Sequence, residues 1–183
     1  MHFHLWLCSR YDEQSFFLHA IQMSLRVIAT GGTFDKHYDE LTGTLSFAHG
    51  HLPEIIRRAR ITVPLQLEQL PFLDSLDMND ADRQRISASC LRADESSIVV
   101  IHGTDTMQKT AAVLGSAQLQ KTIVLTGAMI PYEVQHSDAL FNFGFACGIA
   151  QSLPHGVYIA MNARIFSWDN VQKNRSAGVF ETV

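Results

Sequence analysis

The chain has 183 residues, 46% hydrophobic and 17% charged, which fits one globular domain with a real core and excludes a pair of full-sized domains. Its 14 Lys plus Arg against 18 Asp plus Glu leave a net charge of -4, and beyond Arg57, Arg58 and Arg60 the basic residues form no stripe, so nucleic acid is not an expected partner. Cys8, Cys90 and Cys147 are odd in number and widely spaced, as expected of free thiols in a reducing, cytoplasmic compartment.

Residues 1–22 differ in character from the rest of the chain: His and aromatic residues are interleaved with Arg10, Asp12 and Glu13. A secretory signal needs a basic start and an apolar run of roughly 7 to 15 residues, and neither is present. The segment is also too polar and short to span a bilayer, so no membrane association is expected. Met23 stands just before the first strand, and the sequence predicts an extension over 1–22 and a single domain over 23–183.

Leu25, Val27, Ile28 and Ala29 read as a buried strand, and Thr30-Gly31-Gly32-Thr33 as a sharp turn at its carboxyl end. The polar run Phe34 to Gly43, ending at the alternating stretch Thr44 to Phe47, reads as a mobile loop or hairpin of the kind that serves as a lid. A helix is predicted over Leu52 to Arg58, with Pro53 tolerated in its first turn. A strand is predicted over Ile61 to Leu67, where Pro64 favours an edge or a bend.

A polar turn over Asp74 to Asp80 leads to a helix over Ala81 to Leu91 that Asn79 or Asp80 can cap. The β-branched run Ser96 to Ile101 is a strand ending in His102-Gly103-Thr104-Asp105-Thr106, followed by a helix over Met107 to Leu119. The motif then recurs, with strand Lys121 to Leu125, turn Thr126-Gly127-Ala128, a helix from about Asp138 to Ala150, and strand Gly156 to Met161.

Strands alternating with helices predict an α/β fold of three layers, a mostly parallel sheet with helices on both faces, of the Rossmann or flavodoxin-like kind. Carboxyl ends of parallel strands share one edge, so Thr33, Thr104, Asp105 and Thr126 are expected to approach one another there. The glycine turn lacks the Gly-x-x-x-x-Gly-Lys-Ser/Thr and Gly-x-Gly-x-x-Gly patterns of nucleotide sites. His49 and His51 lie two apart, but no Glu or Cys completes a zinc pattern, so no metal is expected. A threonine hydroxyl becomes a nucleophile only beside a base, for which Asp105 and Lys173 are candidates; a lysine at such a position is otherwise a solvated one.

Thr30-Gly31-Gly32-Thr33, then Ile101-His102-Gly103-Thr104-Asp105-Thr106-Met107, then Thr126-Gly127-Ala128-Met129, in this order, resemble the bacterial-type L-asparaginase and glutaminase family. The resemblance runs from about Leu25 to the C-terminus and corresponds to that family's N-terminal α/β domain. It implies that Thr33 is the primary nucleophile, forming an acyl-enzyme with the side-chain amide carbon. It implies that Thr104 and Lys173 form a proton-handling pair, that Asp105 binds the substrate's α-amino group, and that Ser75 contacts its α-carboxylate. Gly32, Gly103 and Ala128 complete the expected substrate-binding set, with backbone N–H groups at the glycine turns as oxyanion donors.

The implied reaction is hydrolysis of L-asparagine or a related small amide to the acid and ammonia, without metal or organic cofactor. Three departures accompany the resemblance. Leu76 stands where the family usually has glutamine, Tyr38 stands closer to Thr33 than the family's lid tyrosine, and the family's C-terminal domain is not expected here. Tyr38 is therefore the expected substitute for the lid tyrosine. Because family members form intimate dimers and tetramers, a homodimer or higher homo-oligomer is expected. A non-catalytic module that binds an amino acid or a partner on the same fold is the alternative.

Overall fold

We describe residues 24–183 of a computed structural model; the predicted extension over 1–22 lies outside the described residues. β1 (Leu25–Gly31) is buried at nearly every position because it lies inside a sheet covered on both sides. A single turn of 3-10 helix over Thr33–Asp35 comes next, and then a hairpin of β2 (Lys36–Asp39) and β3 (Thr44–Phe47). The remaining elements are α1 (Leu52–Arg58), β4 (Leu65–Leu73), α2 (Asp80–Arg92), β5 (Ser97–Ile101), α3 (Met107–Ser116), β6 (Thr122–Thr126), α4 (Ala139–Ser152), β7 (Gly156–Met161), β8 (Arg164–Ser167), β9 (Gln172–Asn174) and β10 (Val179–Glu181).

The main sheet has six strands in the order β4-β1-β5-β6-β7-β8, parallel throughout except that β8 returns antiparallel to β7. β9 and β10 form a separate antiparallel pair. Alternation along each strand splits the core in two. Ile98, Val100, Ile123 and Leu125 face α2 and α3 with Ile86, Cys90, Ala111 and Leu114. Val99, Ile101 and Val124 face α1 and α4 with Leu52, Ile55, Phe143 and Ala146. The predicted three-layer α/β architecture is the one observed.

The element that differs most from its sequence expectation is β4, which runs Leu65–Leu73 rather than Ile61 to Leu67. Pro64 has no N–H to give a ladder and instead ends the approach to the strand, its carbonyl accepting the Leu25 N–H at 2.8 Å. Ile61 and Val63 pack on the core from an irregular segment, so their apolar character does not mark a strand. Pro71 lies inside β4, which is tolerated because β4 is an edge strand, and the register shifts beside it between Ala29 and Gly31. The helix predicted over Met107 to Leu119 stops at Ser116.

α2 starts on a reciprocal cap. The Asn79 side chain accepts the N–H groups of Ala81 and Asp82 at 2.8 and 3.2 Å, while the Asp82 carboxylate accepts the Asn79 N–H at 3.0 Å. That cap lies at the end of the Asp74 to Asp80 turn and fixes where the turn gives way to α2.

Candidate active site

Parallel strands β1, β4, β5 and β6 deliver their carboxyl ends to one edge, and the turns after them pack backbone to backbone. Gly32 takes φ of 79°, a left-handed conformation that side chains resist, and a Cβ there would lie 2.4 Å from the Cα of Gly103. Its N–H donates to the Leu73 carbonyl at 3.0 Å, which ties the Thr33 turn to the end of β4. A Cβ on Gly103 would in turn lie 2.7 Å from the Cβ and Oγ of Ser75. These close approaches bring Thr33, Ser75 and Thr104 to neighbouring turns. Thr33 itself is half-buried, whereas Ser75, Thr104 and Ala128 are buried.

Lys173 reaches this edge from β9. Its Nζ donates to Thr104 Oγ1 at 2.7 Å and to Asp105 Oδ1 at 3.0 Å, and its side chain is only 8% exposed. A lysine held this way is not the solvated residue that spacing alone allows. Arg175, two residues on and largely exposed, approaches the same Asp105 oxygen at 3.7 Å.

Nothing in the sequence signals a second ion pair at this edge. Lys36 Nζ meets Asp74 Oδ2 at 2.5 Å, joining the start of the β2–β3 hairpin to the residue before Ser75. Burial pushes the Asp74 carboxyl up, but the Lys36 ammonium and the Leu76 N–H outweigh it and hold the group below its ordinary value. Tyr38 is 59% exposed, two positions after Lys36 and therefore on the same face of the ribbon. Leu76 is equally exposed, pointing away from the core at the position where the resemblance leads one to look for glutamine.

Other residues position the turns. His102 is fully buried, with Nδ1 donating to the Gly103 carbonyl and Nε2 accepting from the Thr110 hydroxyl, both at 2.8 Å. Burial lowers its pKa to about 4, so the ring is neutral. The Thr106 hydroxyl donates to the Ser75 carbonyl at 2.7 Å. Asp138 accepts the N–H groups of Met129 and Ile130, while Asn142 donates to the Gly127 carbonyl at 3.0 Å, fixing the turn that carries Ala128. Thr126, expected at the edge, is instead fully buried and donates to the Ala160 carbonyl at 2.7 Å, so it stabilises the sheet and stays out of the site.

The family model described as "Asparaginase, N-terminal" matches residues 24–181. The chain belongs to this asparaginase family. L-asparaginase 1 of Escherichia coli strain K12 is 31% identical over 166 residues, an alignment covering 85% of this chain and 48% of that protein. The thermostable L-asparaginase from Thermococcus kodakarensis superposes with a TM-score of 0.78 at 28% identity, covering 88% of this chain and 51% of that one. A probable cytoplasmic L-asparaginase from Campylobacter jejuni gives a TM-score of 0.73 at 27% identity, covering 87% and 52%. The chain thus spans about half the length of these relatives. Among the described residues no helix is long and apolar enough to cross a membrane.

Proposed function

We propose that this chain is an amidohydrolase of the asparaginase type, acting on L-asparagine or a related small amide. The observation that carries the reading is the buried Lys173 donating to Thr104 Oγ1 at 2.7 Å while paired with Asp105. In the proposed reaction Thr33 Oγ1 attacks the amide carbon, its proton passes through the Thr104 hydroxyl to the neutral amine form of Lys173, and a tetrahedral oxyanion forms. Backbone N–H groups of the turns at Gly103 and Ala128 are the proposed donors to the developing charge, the Gly32 N–H being held by the Leu73 carbonyl. The C–N bond then breaks, ammonia leaves with a proton returned by the pair, and water cleaves the Thr33 ester to give the acid. Ser75 and Asp105 hold the amino-acid end, and Tyr38 closes over Thr33 from the hairpin.

Ammonia release from asparagine, glutamine and short amides tests this reading. Turnover is expected for the unaltered chain. Thr33→Ala is expected to abolish it, and Thr104→Val or Lys173→Met to lower it by about 100-fold or more, because members of one proton-transfer unit fail together. No turnover of any amide by folded protein overturns the hydrolase and leaves the alternative, a binding module, which the exposed Leu76 in place of glutamine favours.

Self-association belongs to the same proposal. α4 carries no charged residue, and its outward stripe presents Leu140, Phe141, Gly144, Phe145, Gly148 and Ile149. Phe141 is 57% exposed and stacked on Phe145 at 6.2 Å, and the space beyond Gly144 and Gly148 is open. A helix apolar on every side is covered on every side, and a second copy of this chain is the proposed cover. We place the protein in the cytoplasm on its unpaired, buried Cys90 and Cys147, and assign activity to residues 23–183, with 1–22 as an extension.

A further inference from the structure

The β2–β3 hairpin folds a histidine cluster that linear spacing does not register. His37 lies on β2, while His49 and His51 come after β3. The His37 ring centroid lies 4.2 Å from that of His49 and 4.2 Å from that of His51. One ligand nitrogen from each of the three lies within 4.8 Å of the others. Glu133, from the segment between β6 and α4, completes the group, with Oε1 2.8 Å from His37 Nδ1 and 3.9 Å from His51 Nε2.

Two features of this cluster ask for a cation. His51 is 4% exposed and its Nε2 is buried without any partner, a standing cost that folded proteins seldom carry without a reason. His37 offers both ring nitrogens to acceptors, Nδ1 to the Glu133 carboxylate and Nε2 to the His49 carbonyl at 2.9 Å. A ring whose Nδ1–H is held by a carboxylate is the usual orientation of a metal-binding histidine, since it leaves Nε2 to coordinate.

We propose that His37, His49 and His51, with Glu133 holding His37 from outside, form a binding site for a divalent transition-metal cation of the zinc class, distinct from the Thr33 edge. Three imidazoles suit zinc, nickel or copper rather than magnesium or calcium, which select oxygen donors. Tetrahedral zinc places its nitrogen ligands about 3.3 Å apart. The cluster therefore closes modestly on binding, through rotation of the exposed His49 and exchange of the His37 Nε2 bond from the His49 carbonyl to the metal. The Nε2 proton is released to solvent. Because the ligands come from both ends of the hairpin, His51 directly precedes α1 and Glu133 holds His37 from the segment before α4, the ion fastens the hairpin to the body of the domain.

Calorimetric titration of zinc into the full chain tests this, on a background in which His2→Ala, His4→Ala and Cys8→Ser remove other strong ligands. One zinc per chain is expected, with a rise in Tm and slower proteolysis between Asp39 and Thr44. His49→Ala and His51→Gln are each expected to weaken binding by at least about tenfold and to remove the Tm rise. His49 is exposed, so its variant tests the ligand set without disturbing the core. No saturable zinc uptake, or uptake and Tm rise unchanged in both variants, overturns the site. Neither outcome bears on amide hydrolysis at Thr33.

Discussion

At the scale of single residues, chemistry and folding share the same turn. His102 precedes Gly103-Thr104-Asp105 and is held neutral in the core, where burial lowers its pKa from 6.5 to about 4. Between those values the unfolded chain takes up a proton that the folded one refuses. Stability supplied by the neutral ring is therefore present above about pH 6.5 and is lost as pH falls towards 4. The shift corresponds to about 3 kcal/mol. In urea titrations from pH 7 to pH 4.5, His102→Asn is expected to lose less stability than the unaltered chain; equal slopes contradict the assignment. Thr33, Thr104 and Asp105 are legible in the sequence because each stands close to a glycine at the end of a strand. Lys173 is legible from its chemistry as one candidate base and its pairing with Thr104 only through a family resemblance, while the Lys36–Asp74 pair is not legible at all, because residues far apart in sequence meet only once the hairpin and β9 have folded.

At the scale of elements, glycines and caps set where the turns lie. Gly32 combines φ of 79° with a backbone approach that leaves no room for a methyl group. Gly32→Ala is expected to cost about 1–3 kcal/mol in backbone strain and to suppress ammonia release by displacing Thr33 from Thr104. Denaturant unfolding and the rate assay check the two effects separately. Asn79→Ala removes the cap of α2 and is expected to lower stability by about 1 kcal/mol with little change in rate, since the helix is held by its core face as well. Strands β1, β5, β6 and β7 are readable from their apolar runs, helix α1 from its spacing with Pro53 in the first turn, and helix α2 from its cap at Asn79. β4 is not, because Pro64 and Pro71 suggest breaks, and only the edge position shows that the second of them can be accommodated.

At the scale of the whole molecule, the layered α/β order is readable from the alternation of strands and helices, and the family assignment agrees with it. The apolar outer stripe of α4 is not legible as a surface, because a helix hydrophobic all round reads as buried until its neighbours are known. Light scattering is expected to show an oligomer that Phe141→Asp converts to monomer without unfolding it; a monomer at high concentration in the unaltered chain contradicts the proposed cover.

The proposed chemistry joins all three scales: turns bring Thr33 and Thr104 together, β9 supplies Lys173, and the sheet holds their edge in place. Its most direct test is intact-mass and peptide-mass analysis of the full chain quenched during turnover of asparagine. The account predicts an aspartyl ester on the peptide containing Thr33, lost in Thr33→Ala and diminished in Lys173→Met. An ester on Thr104 instead, or undiminished turnover in Thr33→Ala, contradicts it.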